Sequence, residues 1–231
     1  MLKSKVDNLR KAISRGVAGL LAGLALASMA GPTLAQARSS QVRPSDEATT
    51  EDLRALRQFA RCIVQHEPGR AGSLIVGDYT SEAYQVALRR LATSNNDCLP
   101  AESRLASAGV LLAGNLAEEL LPGVAPRGTL AQRVAFNAAA APFRAHDEGE
   151  VMSLCVVRAA PAETETLLVT AQGSAGEAAA LRAITPQIGP CLASGAAIRF
   201  NRPGLRALLA LAAYRLVCHN QAAAAAVAAR N

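Results

Sequence analysis

Cys62 and Cys98 lie 36 positions apart, and Cys155 and Cys191 repeat that spacing 93 residues later. Displacing the chain by those 93 residues, without a gap, lays Val64 on Val157, Pro68 on Pro161, Leu74 on Leu167, Val76 on Val169 and Ser81 on Ser174. The run Ala87-Leu88-Arg89 falls on Ala180-Leu181-Arg182, and Leu112, Leu116 and Ala117 fall on Leu205, Leu209 and Ala210. A self-match over about 60 positions is an internal duplication. The chain is therefore expected to consist of two similar units, each small enough to need a covalent staple. The duplication constrains how the chain is built and says nothing about what it does.

The first 37 residues read as a secretory signal peptide. Lys3, Lys5, Arg10, Lys11 and Arg15 precede an apolar stretch from Gly16 to Ala30, and Ala35-Gln36-Ala37 supplies a small-x-small cleavage site. The apolar run is about 15 residues, short of the roughly 20 that a spanning helix needs, and Gly31-Pro32 interrupts it. Cleavage after Ala37 and a periplasmic or secreted location are expected, with no membrane span in what remains. In an oxidising compartment paired cysteines form disulfides. Four cysteines allow three pairings, and the duplication selects Cys62–Cys98 and Cys155–Cys191, because a copied unit carries its own bridge. Each closes a loop of about 37 residues, a constraint of roughly 3–4 kcal/mol by chain-entropy arithmetic.

The whole chain has a formal charge of +6 from 24 basic and 18 acidic residues. Five of the basic residues and one acidic residue belong to residues 1–37, so the remainder carries 19 against 17. Those 19 are all arginines, scattered among carboxylates as on a solvated face. Nucleic-acid binding needs a concentrated basic patch with stacking aromatics. Seven aromatic residues and no Trp argue against it. Abundant Ala and few β-branched residues favour helix over strand.

The expected fold is all-α. Residues 38–48 read as a disordered leader, 49–122 as the first helical unit, 123–146 as a linker, 147–220 as the second unit and 221–231 as an Ala-rich tail. In the first unit Thr49 caps a helix over about Thr50–Gln65, whose Leu53, Leu56, Ala60, Ile63 and Val64 recur at helical spacing. Glu67-Pro68-Gly69 breaks it, and a short helix covers Arg70–Val76. Ser81 caps the next helix, and a fourth spans about Leu105–Leu121 before Pro122-Gly123. The second unit repeats the plan, with Asp147 and Glu150, and Ser174 and Glu177, as capping pairs. Asn201-Arg202-Pro203 starts the last helix. The linker holds a connecting helix over Leu130–Ala141.

Several residues carry chemistry by type. Cys62 and His66 are four apart and share a helical face, as two metal ligands do. The second unit has Ala159 in place of His66, so a metal site is not a property of the repeat and disulfides are the preferred reading. Cys218 has no counterpart in the first unit, where Ala125 stands. It is a free buried thiol, a link to a second copy, or a reactive group. His219 follows it, but adjacent helical residues do not face each other. His146, Asp147, Glu148 and Glu150 are the densest polar cluster, and a linker followed by a helix cap accounts for it. No catalytic or cofactor motif is present, so no catalytic, cofactor or metal residue is assigned.

The order Cys-Ile/Val-Val, Pro, Leu-Ile/Leu-Val, Ser, Ala-Leu-Arg, Cys-Leu resembles a group of secreted helical proteins of alphaproteobacterial type with a duplicated Cys-x35-Cys unit. The resemblance covers both units. It implies the architecture and no activity. The expected role is a non-enzymatic binding or scaffold function at the cell envelope, with a protein or a small apolar ligand held in a groove between the units. The alternatives are an inhibitor or immunity protein against a secreted toxin or hydrolase, and an enzyme built on a pocket shared by both units.

Overall fold

The computed structural model describes residues 49–99, 109–196 and 198–230. The signal peptide and leader expected over 1–48 lie outside them. Within the described residues the chain is helical, without strands: α1 (Thr50–His66), α2 (Pro68–Ile75), α3 (Glu82–Ser94), α4 (Gly109–Val124), α5 (Leu130–Val134), α6 (Glu148–Ala159), α7 (Pro161–Val169), α8 (Ala175–Ile184) and α9 (Arg202–Ala228). Short 3-10 turns at Asn96–Cys98 and Gly189–Cys191 precede the last helix of each unit. The starts of α2, α3, the 3-10 turn and α4 recur 93 residues later in α7, α8, the second turn and α9. The duplication read in the sequence is thus a duplication of structure.

Caps explain most of the boundaries. Thr49 and Asp52 close a full capping box on α1. Ser81 and Ser174, equivalent residues, accept from the backbone N–H of Tyr84 and Glu177. Asp147 accepts from Glu150 N and Asn201 from Gly204 N. The break expected at 67–69 is one residue long. Glu67 leaves the helical region (φ −134°, ψ 57°) and Pro68 starts α2 at once, where its missing N–H costs nothing. The connecting helix expected over Leu130–Ala141 stops at Val134. The Asn137 side chain accepts from Ala139 N in a local turn, and Asn220 of α9 donates to the carbonyls of Arg133 and Ala135. Those carbonyls are satisfied from outside, so the helix has no need to continue.

Both bridges have formed as the spacing required. Cys62–Cys98 and Cys155–Cys191 have Cα atoms 5.7 and 5.6 Å apart, well within disulfide reach. Each ties the last turns of a unit's first helix to the 3-10 turn before its last. The two units share one core. Phe59, Ile63, Ile75, Leu91 and Leu116 from the first unit and Met152, Val156, Leu167, Ile184, Leu209 and Leu216 from the second belong to a single buried cluster.

At its centre α4 packs on α9. A Cβ added to Gly114 would lie 2.4 Å from the Cα and Cβ of Ala207. Gly114 and Ala207 are 93 residues apart, so each touches its own repeat equivalent. That is the signature of a local two-fold axis between the copies. The same axis relates two reciprocal contacts. The loop before α8 reaches α1, where Gly173 meets Thr50, and the loop before α3 reaches the entry of α6, where Tyr79 meets His146.

Candidate functional site

The two reciprocal contacts hold the polar chemistry of the molecule's interior. In the first, Arg206 of α9 is 1% exposed within the otherwise apolar run Leu205–Leu211. Its Nε and Nη2 donate to the two oxygens of Glu118 at 2.7 and 2.8 Å, and Nη1 donates to Glu177 at 2.9 Å. Nη2 also reaches the Thr170 carbonyl at 3.0 Å. Burial disfavours its charge, but the hydrogen bond and charge of Glu118, then those of Glu177, outweigh burial and hold its pKa above the ordinary value. Arg57 of α1 reaches Glu118 at 3.3 Å and Glu119 at 3.0 Å. Gln172 donates to Asn115 Oδ1 at 2.9 Å, again across the two units. Beside these groups is a cavity of about 10 Å³, lined among others by Leu53, Asn115, Gln172 and Arg206. That is space on the order of one water and too little for a substrate.

The second contact is built around Arg215, also on α9. It pairs with Glu150 of α6, and both are buried. Glu150 accepts from His146 N at 2.8 Å, and its Oε2 lies 2.8 Å from His146 Nδ1. On the far side of the ring, His146 Nε2 is 3.7 Å from Asp78 of the first unit. The Arg215 guanidinium stacks 5.9 Å from the Tyr79 ring and 5.4 Å from Phe143. Hydrogen bonds from Thr80 hold the Asp78 carboxyl below the usual carboxylate range. Burial first, then Asp147 and Glu150, push the Tyr79 phenol well up. A histidine beside a carboxylate is the raw material of acid–base catalysis. Here both ring nitrogens face carboxylates of the protein itself, which makes His146 a strut between the units.

Tyr84, the repeat equivalent of Glu177, is 5% exposed, and its hydroxyl has no hydrogen-bond partner. Burial pushes its phenol up to about 12. The unfolded phenol ionises near pH 10, so the neutral buried form contributes stability that is intact below about pH 10 and is lost as pH rises through about 12. Tyr84→Phe removes an unsatisfied hydroxyl. It is expected to stabilise the protein by about 1 kcal/mol at neutral pH and to flatten the alkaline loss. Urea unfolding at about pH 7 and about pH 11 measures both effects. A destabilised Tyr84→Phe at neutral pH would show that the hydroxyl is satisfied.

The residues singled out in the sequence divide between these contacts and plainer roles. Cys62, Cys98, Cys155 and Cys191 are bridged. Cys218 is unpaired and half-buried, and burial pushes its thiol up against a smaller downward pull from Tyr214. His219 turns to the Ala141 carbonyl at 2.8 Å. Asp147 is a cap, as read, and Glu148 adds a second acid to that first turn. Glu150 does more than the cap reading allowed, because its partner Arg215 is 65 residues away in sequence. Arg206, Glu118 and Tyr79 are not among the residues singled out, and Glu177 is there only as a capping residue. The signal that finds them is the repeat itself. Arg57 and Glu150 are equivalent positions with opposite charge, and each pairs with the opposite sign on its own unit's last helix.

An open feature lies on the outside. A groove of about 350 Å³ runs between α5 with the turn that follows it and the C-terminal half of α9. Gln132, Phe136, Ala138, Val217, Asn220 and Ala224 are among its walls. Phe136 is 80% exposed there. Gly114 on Ala207 closes the centre of the contact between the units, and this opening lies between the linker and the second unit.

Compared with known proteins, the chain matches no protein family, no curated protein and no solved structure. Among the described residues no helix is long and apolar enough to cross a membrane. The two bridges are compatible with an extracellular or periplasmic location.

Proposed function

We propose that this is a non-enzymatic binding or scaffold protein of the cell envelope, secreted through its N-terminal segment, and that it docks a protein partner in the α5–α9 groove. The observation that supports this most directly is Phe136. A large aromatic left 80% exposed on the wall of a groove is available as an anchor for a partner's apolar side chain. The interior charges support the same reading from the other side. Arg206, Glu118, Glu177, Arg215, Glu150 and His146 are engaged with one another: Arg206–Glu118 joins the two units, and the other pairs fix the second unit and its entry.

The test is site-specific photocrosslinking in intact cells that express the full chain. A photoreactive residue at Phe136 or Ala138 is expected to yield one adduct of defined mass. The same probe at Glu82 or Arg89, exposed positions on α3, is expected to yield none. Phe136→Asp is expected to abolish the Ala138 adduct while leaving the unfolding free energy within about 0.5 kcal/mol of the parent, as an exposed position should. Equal labelling at all four positions, or none at Phe136 and Ala138, would remove the groove as the binding surface.

A further inference from the structure

The two disulfides are equivalent by descent and differ in their surroundings. Around Cys62–Cys98, His66 reaches both sulfurs, with Nε2 4.0 Å from Cys62 Sγ and Nδ1 3.9 Å from Cys98 Sγ. The His66 side chain is 47% exposed, and Asp97 lies 3.9 Å from its Nδ1. Ligand atoms of Cys62, His66 and Cys98 all lie within 4.8 Å of one another. Around Cys155–Cys191 the position of His66 is Ala159, and Cys191 is buried at 8% exposure. The repeat thus keeps both bridges and equips only one of them with an imidazole.

We propose that Cys62, His66 and Cys98 form a redox-gated metal site: closed as a disulfide, and, once a dithiol reductant opens it, a two-thiolate, one-imidazole site for a soft divalent metal such as Zn²⁺. Opening is ordinary thiol–disulfide exchange. A thiolate of the reductant attacks one bridge sulfur, the Cys62–Cys98 bond breaks, and the other sulfur leaves as a thiolate. The second thiol of the reductant then displaces the remaining cysteine from the mixed disulfide and departs as a cyclic disulfide. Two electrons pass from the dithiol to the bridge. Because His66 lies beside both sulfurs, its ring can give a hydrogen bond to the leaving thiolate whichever sulfur is attacked. The metal then binds two thiolates and the imidazole, and any thiol protons go to solvent. Two thiolates and an imidazole are ligands that Zn²⁺ favours, and Asp97 or water completes four-coordination. Cys155 and Cys191 lack the third ligand and remain the structural bridge. This site is separate from the α5–α9 groove, so it stands or falls independently of the binding role.

The experiment is graded reduction of the full secreted chain with dithiothreitol, trapping by alkylation and mapping by mass. Cys62 and Cys98 are expected to be labelled at least about tenfold faster than Cys155 and Cys191, and His66→Ala is expected to remove most of that difference. After partial reduction and removal of the reductant without oxygen, Co²⁺ is used as the spectroscopic probe for Zn²⁺. One equivalent is expected to give a thiolate-to-cobalt charge-transfer band, which Zn²⁺ abolishes. His66→Ala is expected to weaken Co²⁺ binding at least about tenfold. Ala159→His is the converse variant: it is expected to make Cys155–Cys191 open faster and so does not depend on His66→Ala folding. Simultaneous opening of both bridges, earlier opening of Cys155–Cys191, or Co²⁺ bound without a charge-transfer band would each overturn the proposal.

Discussion

Arg206→Ala is expected to cost about 3–5 kcal/mol, the range for removing one partner of a buried ion pair and leaving the other uncompensated. Two carboxylates, Glu118 and Glu177, lose their buried cation at once. Arg57 stays near Glu118 at 3.3 Å but also serves Glu119, and its side chain is 25% exposed. It cannot replace a guanidinium that meets both oxygens of Glu118. A domain of this size has about 5–15 kcal/mol in hand, so the single substitution removes a large share of it. The repeat offers a remedy. The equivalents of Arg206, Glu118 and Glu177 are Ala113, Leu211 and Tyr84, an uncharged set that is buried at the matching positions of the repeat. The triple variant Arg206→Ala, Glu118→Leu, Glu177→Tyr transplants that set and is expected to recover to within about 2 kcal/mol of the parent, since apolar replacement of a complete buried charge cluster is often neutral. Urea unfolding of the parent, the single and the triple variant decides it. A single substitution costing less than about 1 kcal/mol would mean that the cluster is solvated and contributes little.

How the fold follows from the residues can be judged from this same cluster. The helices, their caps and the disulfide pairing were legible because each is signalled locally or by the repeat: Ser81 and Ser174 precede acid-led helices, and the cysteines recur at one spacing. The packing of the two units was not legible. Arg206 and Arg215 carry no local signal of their partners, since a single helix pattern holds no trace of carboxylates 88 and 65 residues away. The stop of α5 at Val134 was equally hidden, because it depends on Asn220, a residue of another helix. Local capping accounts for the charge density from His146 to Glu150 correctly at Asp147 and incompletely at Glu150, whose second partner is Arg215. What leaves no local pattern is contact between residues far apart in the chain, both across the local two-fold and, as with Glu150 and Arg215, within one unit. The overlay contained a clue to it, in Arg57 standing where Glu150 stands in the other copy. Such opposed signs at equivalent positions also discourage the first helix of one unit from pairing with the last helix of the other.

Gly114→Ala is the sharpest probe of that two-fold. Away from the contact, Ala is the better helix residue by about 1 kcal/mol. At position 114 the added methyl meets the Ala207 backbone, with Cα at 2.4 Å and the carbonyl oxygen at 2.7 Å, and backbone cannot rotate out of the way. The helices must separate, and α4 and α9 carry the centre of the shared core. A net loss of about 3 kcal/mol is expected. If the two positions are related by a local two-fold, the methyl can be handed across the axis. The double variant Gly114→Ala, Ala207→Gly places the same two side chains at the same crossing with their helices exchanged. Ala207→Gly removes only the Cβ contact, so the two helices must also slide to the mirrored offset that a two-fold permits; with that shift the variant is expected to return to within about 1 kcal/mol of the parent, although Ala207→Gly alone costs about 1 kcal/mol through helix propensity. The coupling between the two substitutions should then be about 3 kcal/mol and favourable, which a double-mutant cycle by urea unfolding reads directly. Additive losses would mean that the crossing is held by its flanking residues and that the repeat equivalents meet there without true symmetry. A strong favourable coupling would establish that the duplicated halves face each other across the α4–α9 crossing as the two copies of a dimer do.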